Sequence, residues 1–236
     1  MKNRNILCLI LMIFSSIMLL STCGLYSYPY ISAPDVTTVS STGGEARIIN
    51  TGDNDPEVFR GYEIYYKFYN QSTASRDQQN DHNIIFNKLS DNAPKILASA
   101  GYRRVRTEKN TRDDTLYPMI PVPAGSRDDR FDLTINFSPI TTNGSKEELK
   151  IRYLGTELSL YRDVVDQAPD TGESPSASDT VYKDFNSDDL EYTEYGDSDL
   201  PSESVSVSMY VVSYGIHENI YNLYSTPVWL GYVNCW

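Results

Sequence analysis

The chain has 236 residues, 40% of them hydrophobic and 12% aromatic, with 20 Lys and Arg against 32 Asp and Glu and a formal charge of −12. A surface so acidic repels phosphate backbones and anionic headgroups, which argues against nucleic acid and against a basic membrane-binding patch. The 3 cysteines make no disulfide framework, so stability has to come from a packed core.

Lys2 and Arg4 precede an apolar run from Ile6 to Leu20, and the small residues Ser21 and Thr22 lead into Cys23. That order is the layout of a secretory signal. The run of 15 residues falls short of the ~20 needed to span a bilayer as a helix. Leu20, Ser21, Thr22 and Cys23 resemble the lipobox of bacterial lipoproteins, in the looser spirochaete-type form that accepts Thr before the Cys. The resemblance implies that residues 1–22 are removed and that Cys23 carries a diacylglyceryl thioether and an amide-linked acyl chain. Each buried CH₂ contributes about 0.8 kcal/mol, and two or more chains hold where one does not. The expected location is the bacterial cell envelope, with the membrane as a partner through the lipid at Cys23. Loss of Lys2 and Arg4 leaves 18 basic side chains against 32 acidic, a charge of −14, so lipid rather than charge does the anchoring. Cys8 leaves with the signal, and Cys235 is expected as a half-buried structural thiol.

Residues 23–34 read as a lipidated tether, in which Pro29 and Pro34 bar a central strand. A single domain is expected over residues 35–236. Val36–Ser41 and Ala46–Asn50 read as strands joined at Gly43-Gly44. Gly61–Tyr69 is the strongest strand: Tyr62, Ile64, Tyr66 and Phe68 form an apolar face, and Glu63, Tyr65, Lys67 and Tyr69 form the other. Tyr65, Lys67 and Tyr69 are a candidate binding face, because tyrosine supplies contact area at low entropic cost. The competing expectation is that inserted helices cover them. Residues 70–81 are polar and read as a loop, followed by helices over Asn83–Leu89 and Pro94–Ala100, the second closed by Gly101.

Short strands follow at Tyr102–Arg106 and Leu116–Val122. Phe131–Phe137 alternates cleanly, and Glu148–Tyr153 with Glu157–Tyr161 suggests a hairpin around Leu154-Gly155-Thr156. Residues 167–204 are poor in apolar side chains; 9 acids against Lys183 alone between Asp179 and Glu203 predict a long mobile acidic loop. Val205–Tyr214 and about Pro227–Val233 close the chain as strands.

Gly61, Tyr62, Ile64 and Tyr66, then Met209, Val211 and Ser213, then Ser225–Pro227 before the final strand, together resemble a fibronectin type III domain. The resemblance implies an immunoglobulin-like β-sandwich with the first run as strand C and the second as strand F. The distance from Tyr69 to Val205 then requires a large insertion carrying the helices, beyond a module of about 100 residues.

His82 and His217 lie in different segments, and no HExxH, CxxC, P-loop, G-x-G-x-x-G or G-x-S-x-G occurs. No catalytic residue, cofactor or metal site is therefore expected. Asp53, Asp55 and Glu57 alternate, as do Asp197 and Asp199, but neither run has EF-hand spacing, and a solvated surface is expected instead. The expectation is a mainly β envelope lipoprotein with a non-enzymatic recognition or structural role toward a protein or glycan. The alternatives are an envelope-polymer hydrolase using carboxylates and a subunit of an envelope assembly.

Overall fold

The computed structural model describes residues 30–70, 74–87, 92–107, 118–138, 149–165, 180–183, 205–218 and 221–235. The signal, Leu20, Ser21, Thr22 and Cys23 lie outside the described residues, as do Asp197, Asp199 and all of the acidic stretch except 180–183.

The chain is mainly β, and the described residues form two antiparallel sheets. The first is 7-stranded, in the order β1 (Asp35–Thr37), β2 (Glu45–Asn50), β7 (Phe131–Asn136), β8 (Lys150–Tyr153), β9 (Thr156–Val165) and β10 (Thr180–Lys183), with β5 (Arg106–Thr107) also on β9. The second is 6-stranded, in the order β12 (Tyr221–Tyr224), β11 (Val205–His217), β3 (Phe59–Asn70) and β4 (Arg103–Arg104), with β13 (Val228–Cys235) on β11 and β6 (Ile120–Pro121) on β3. β10 is a correction to the expected continuous loop: residues 180–183 pair with 162–165 along β9.

One apolar layer lies between the sheets. Ala46, Ile48, Leu133, Ile135, Ile151 and Leu158 come from one side; Tyr62, Ile64, Tyr66, Val207, Met209 and Val211 come from the other. The expected even-numbered face of β3 is thus its core face, as period-2 geometry requires. Tyr62 also ties the sheets together through its hydroxyl, which donates to Asn50 Oδ1 at 2.6 Å. The β8–β9 hairpin turns on Leu154 and Gly155 at φ of 45° and 71°, the left-handed pair that a two-residue hairpin loop needs.

The other face of β3 is covered. Helix α1 (Ala74–Asn87) and helix α2 (Ala93–Ser99) lie against it, and Tyr65, Tyr69, Tyr102, Tyr210 and Val212 pack with Ala74, Ile85, Ala93, Ile96 and Leu97 in a second core. Tyr65 and Tyr69 are 5% and 4% exposed, so the candidate binding face of Tyr65, Lys67 and Tyr69 is an interior surface. α2 matches expectation: Asn92 caps it by accepting from the Lys95 amide at 3.2 Å, and Gly101 follows at φ 84°.

α1 corrects the expected polar loop, because the helix begins at Ala74. Its sheet-facing stripe includes Ala74, Gln78, Asp81, His82 and Ile85, at helical spacing but largely polar. A hydropathy pattern registers apolar stripes and passes over one built from an acid, an imidazole and an amide.

Candidate functional site

A cleft of about 230 Å³ opens between α1 and the outer face of β11 and β13. Ser75, Gln78, Gln79 and His82 supply one wall from a single face of the helix, at three- and four-residue spacing. Ser208 and Tyr210 supply the floor from alternate positions of β11, and Tyr102 enters from the segment after α2. Trp229 and Tyr232 complete it from β13.

The last two residues are three apart, which a regular strand would send to opposite faces. A bulge brings them together: Met209 pairs with Gly231 and Tyr210 with Trp229, leaving Leu230 between them. Leu230 turns into the core at 0% exposed, while Trp229 and Tyr232 stack outside, ring centroids 6.2 Å apart. Gly231 makes the bulge possible. It holds φ 104°, and a Cβ there would come within 2.4 Å of the Val39 carbonyl oxygen.

Behind the aromatic wall runs a chain of polar groups. Trp229 Nε1 donates to Ser208 Oγ at 3.0 Å, Ser208 Oγ and the Tyr102 hydroxyl are bonded at 3.2 Å, and the Tyr102 and Tyr69 hydroxyls are bonded at 2.8 Å. Tyr69 then donates to Asp81 Oδ2 at 2.7 Å. Lys67 also donates to Asp81, and to the Ala100 carbonyl at 2.7 Å, with its ammonium 5.0 Å from the Tyr69 ring centre. Burial, first among several causes, pushes the Tyr69 and Tyr210 hydroxyls well up and that of Tyr102 up to about 12, so all three stay phenols at neutral pH.

His82 sits at the mouth. Its ring lies 4.6 Å from Phe86, 5.8 Å from Tyr210 and 5.7 Å from Trp229, and its Nδ1 is hydrogen-bonded to the Tyr210 hydroxyl. Burial lowers its pKa, which favours the neutral ring in the fold. The unfolded chain therefore takes up the proton first as pH falls, and stability is lost below about pH 6.5, the ordinary histidine value. Melting temperature is expected to drop more for the wild type than for His82→Gln between pH 7.5 and pH 5; parallel curves would exclude His82 as the responsible group.

Farther along the same outer face, Glu63 is buried at 1% exposed, held by Arg104 Nη1 at 2.9 Å and by the Tyr65 hydroxyl at 2.7 Å. The three side chains of the expected binding face are thus brought near the cleft without lining it. Tyr69 and Lys67 brace its back wall, and Tyr65 serves the buried ion pair. Sequence reading missed Gln78, His82, Tyr210, Trp229 and Tyr232. The alternation of β11 could have put Ser208 and Tyr210 on one face, but nothing local marks the bulge. Asp55 Oδ1 accepts from the Glu57 amide at 2.9 Å in a local turn, and among the described residues no three His, Cys, Asp or Glu side chains gather as a metal site. No carboxylate among the described residues lines the cleft.

No family model, no curated protein and no solved structure matches this chain.

Proposed function

We propose that the protein is a lipid-anchored recognition module of a bacterial cell envelope, built on a fibronectin type III-like sandwich. The aromatic cleft carries the recognition reading. It is concave, walled by rings whose positions are held from behind by a continuous hydrogen-bond chain, and rimmed by neutral amides and hydroxyls. Ligand sites combine apolar surface with a few oriented polar groups, and this cleft presents the two in about equal measure. The sandwich reading is supported by neighbour order. β3, β11 and β13 lie side by side as strands C, F and G do, and β1, β2 and β7 as A, B and E do. The chain after β1 also crosses to the other sheet, bridging Val39 to Gly231 in parallel. The helices are then an insertion after strand C.

Anchoring rests on Leu20, Ser21, Thr22 and Cys23. Cys23→Ala is expected to abolish acyl labelling and to leave uncleaved precursor; palmitate incorporation persisting in that variant would overturn the anchor. For recognition, the acylated protein in detergent is mixed with fragmented envelope polymers, and Tyr232→Ala is expected to capture at least fivefold less than wild type. Equal capture by the two would remove the cleft from the function.

A further inference from the structure

We propose that the cleft takes one ring of a neutral saccharide, stacked on Trp229 and Tyr232 and hydrogen-bonded along its hydroxyl edge by the helix α1 amides. This rests on the recognition reading above and names its ligand class.

The two walls differ chemically. The strand side presents the rings of Trp229 and Tyr232, centroids 6.2 Å apart, backed by the buried Tyr102–Tyr210 pair at 5.1 Å. The helix side presents amides and a hydroxyl, among them Gln78. Gln78 Nε2 is shielded from solvent and has no hydrogen-bond partner in the fold. An amide donor left without an acceptor is costly, and a small turn of a side chain already on the cleft wall lets an occupant supply one. A pyranose has matching sides: an apolar face of C–H groups, which suits the negative face of an aromatic ring, and an edge of hydroxyls that both give and accept hydrogen bonds. The cleft is smaller than the ~300–1,000 Å³ typical of sites for drug-sized ligands, which suits a single ring.

Charge separates this ligand from its competitors. A quaternary ammonium needs rings standing apart around it, whereas His82 meets Trp229 edge to face, as Tyr102 meets Tyr210. The Lys67 ammonium already lies 5.9 Å from the Tyr102 ring centre, which further disfavours a second cation. An anionic sugar would meet no Lys or Arg among the described residues of the lining, in a chain of net charge −12. His82 does not supply the missing charge, since burial favours its neutral form.

The test uses the acylated full chain in detergent on an array of neutral hexopyranosyl oligosaccharides, with sialylated and sulfated glycans as comparators and choline titrated separately. The expected result is binding to neutral glycans that weakens about tenfold in Tyr232→Ala and at least threefold in Gln78→Ala, with both variants showing wild-type circular dichroism. Gln78 sits on a partly exposed helix face, so its substitution reads binding even if the tyrosine variant folds poorly. Absence of neutral-glycan binding, preference for sialylated or sulfated spots, tighter binding of choline, or neutral binding unchanged in Gln78→Ala would each overturn the inference. If capture of envelope fragments still depends on Tyr232 while the neutral array is blank, the saccharide assignment fails and recognition stands; if both are lost, recognition fails with it.

Discussion

Tyr66→Ala is expected to lower stability by about 3–5 kcal/mol, the range for truncating a buried aromatic. Tyr66 is 1% exposed, sits mid-strand in β3 opposite Met209, and packs edge to face with Phe68 at 5.6 Å. Its removal opens a void between two sheets that cannot close independently, because β3 is paired along nearly its whole length with β11. Since a whole domain has only about 5–15 kcal/mol in hand, the variant should be largely unfolded near body temperature. Denaturant melts decide it, and a midpoint within error of wild type would mean that this face does not meet the opposite sheet. The neighbouring Lys67→Ala is a useful contrast. By alternation alone it would be near neutral on an open face. Here it removes the cation between Asp81 and the Ala100 carbonyl and should cost about 1–3 kcal/mol.

Arg104→Ala is the second large effect, at about 3–5 kcal/mol, because it strips the counter-charge from a buried carboxylate. The two partners are unequal: the Glu63 side chain is 2% exposed and that of Arg104 is 22%. Losing the arginine therefore strands Glu63 where water does not reach, with the Tyr65 hydroxyl still donating to it. Much of the loss is the penalty of the orphaned charge rather than the worth of the bond. The double variant Glu63→Gln/Arg104→Ala is expected to recover at least half of the deficit in urea melts. A double variant as unstable as the single would show that Arg104 acts through its packing and not its charge.

What could be read from the sequence depended on whether a residue's surroundings were local. The strand Gly61–Tyr69, the alternation of Phe131–Phe137 and the close of α2 at Gly101 all rest on neighbours a few positions away, and each lies where it is expected. The second half of α1 overlaps the helix expected over Asn83–Leu89, but its first half reads as loop because its buried stripe answers polar partners on other strands. Asp81 is explained only by Lys67 and Tyr69, and His82 only by Tyr210 and Trp229. Alternation alone leaves Tyr65, Lys67 and Tyr69 as either a binding face or a face under inserted helices, and the cover that decides it comes from α1 and α2, after the strand has ended. β10 was missed for a related reason, since a short strand inside an acidic stretch gains its place from pairing with β9.

The acidic charge, the signal-like stretch ending at Cys23, and the period-2 strands of a mainly β fold with an apolar face for each sheet are all written in the order of the residues. Those are properties of composition and short-range order, which need no partner to be legible. What lies on the outer face follows instead from how distant segments dock. Whether Tyr69 is surface or interior depends on where two helices dock. Whether Trp229 and Tyr232 share a face depends on one unpaired residue, Leu230, which pairing with β11 leaves over. The cleft is made of such long-range coincidences: a helix face, a strand face and a bulge brought together by chain segments more than a hundred residues apart.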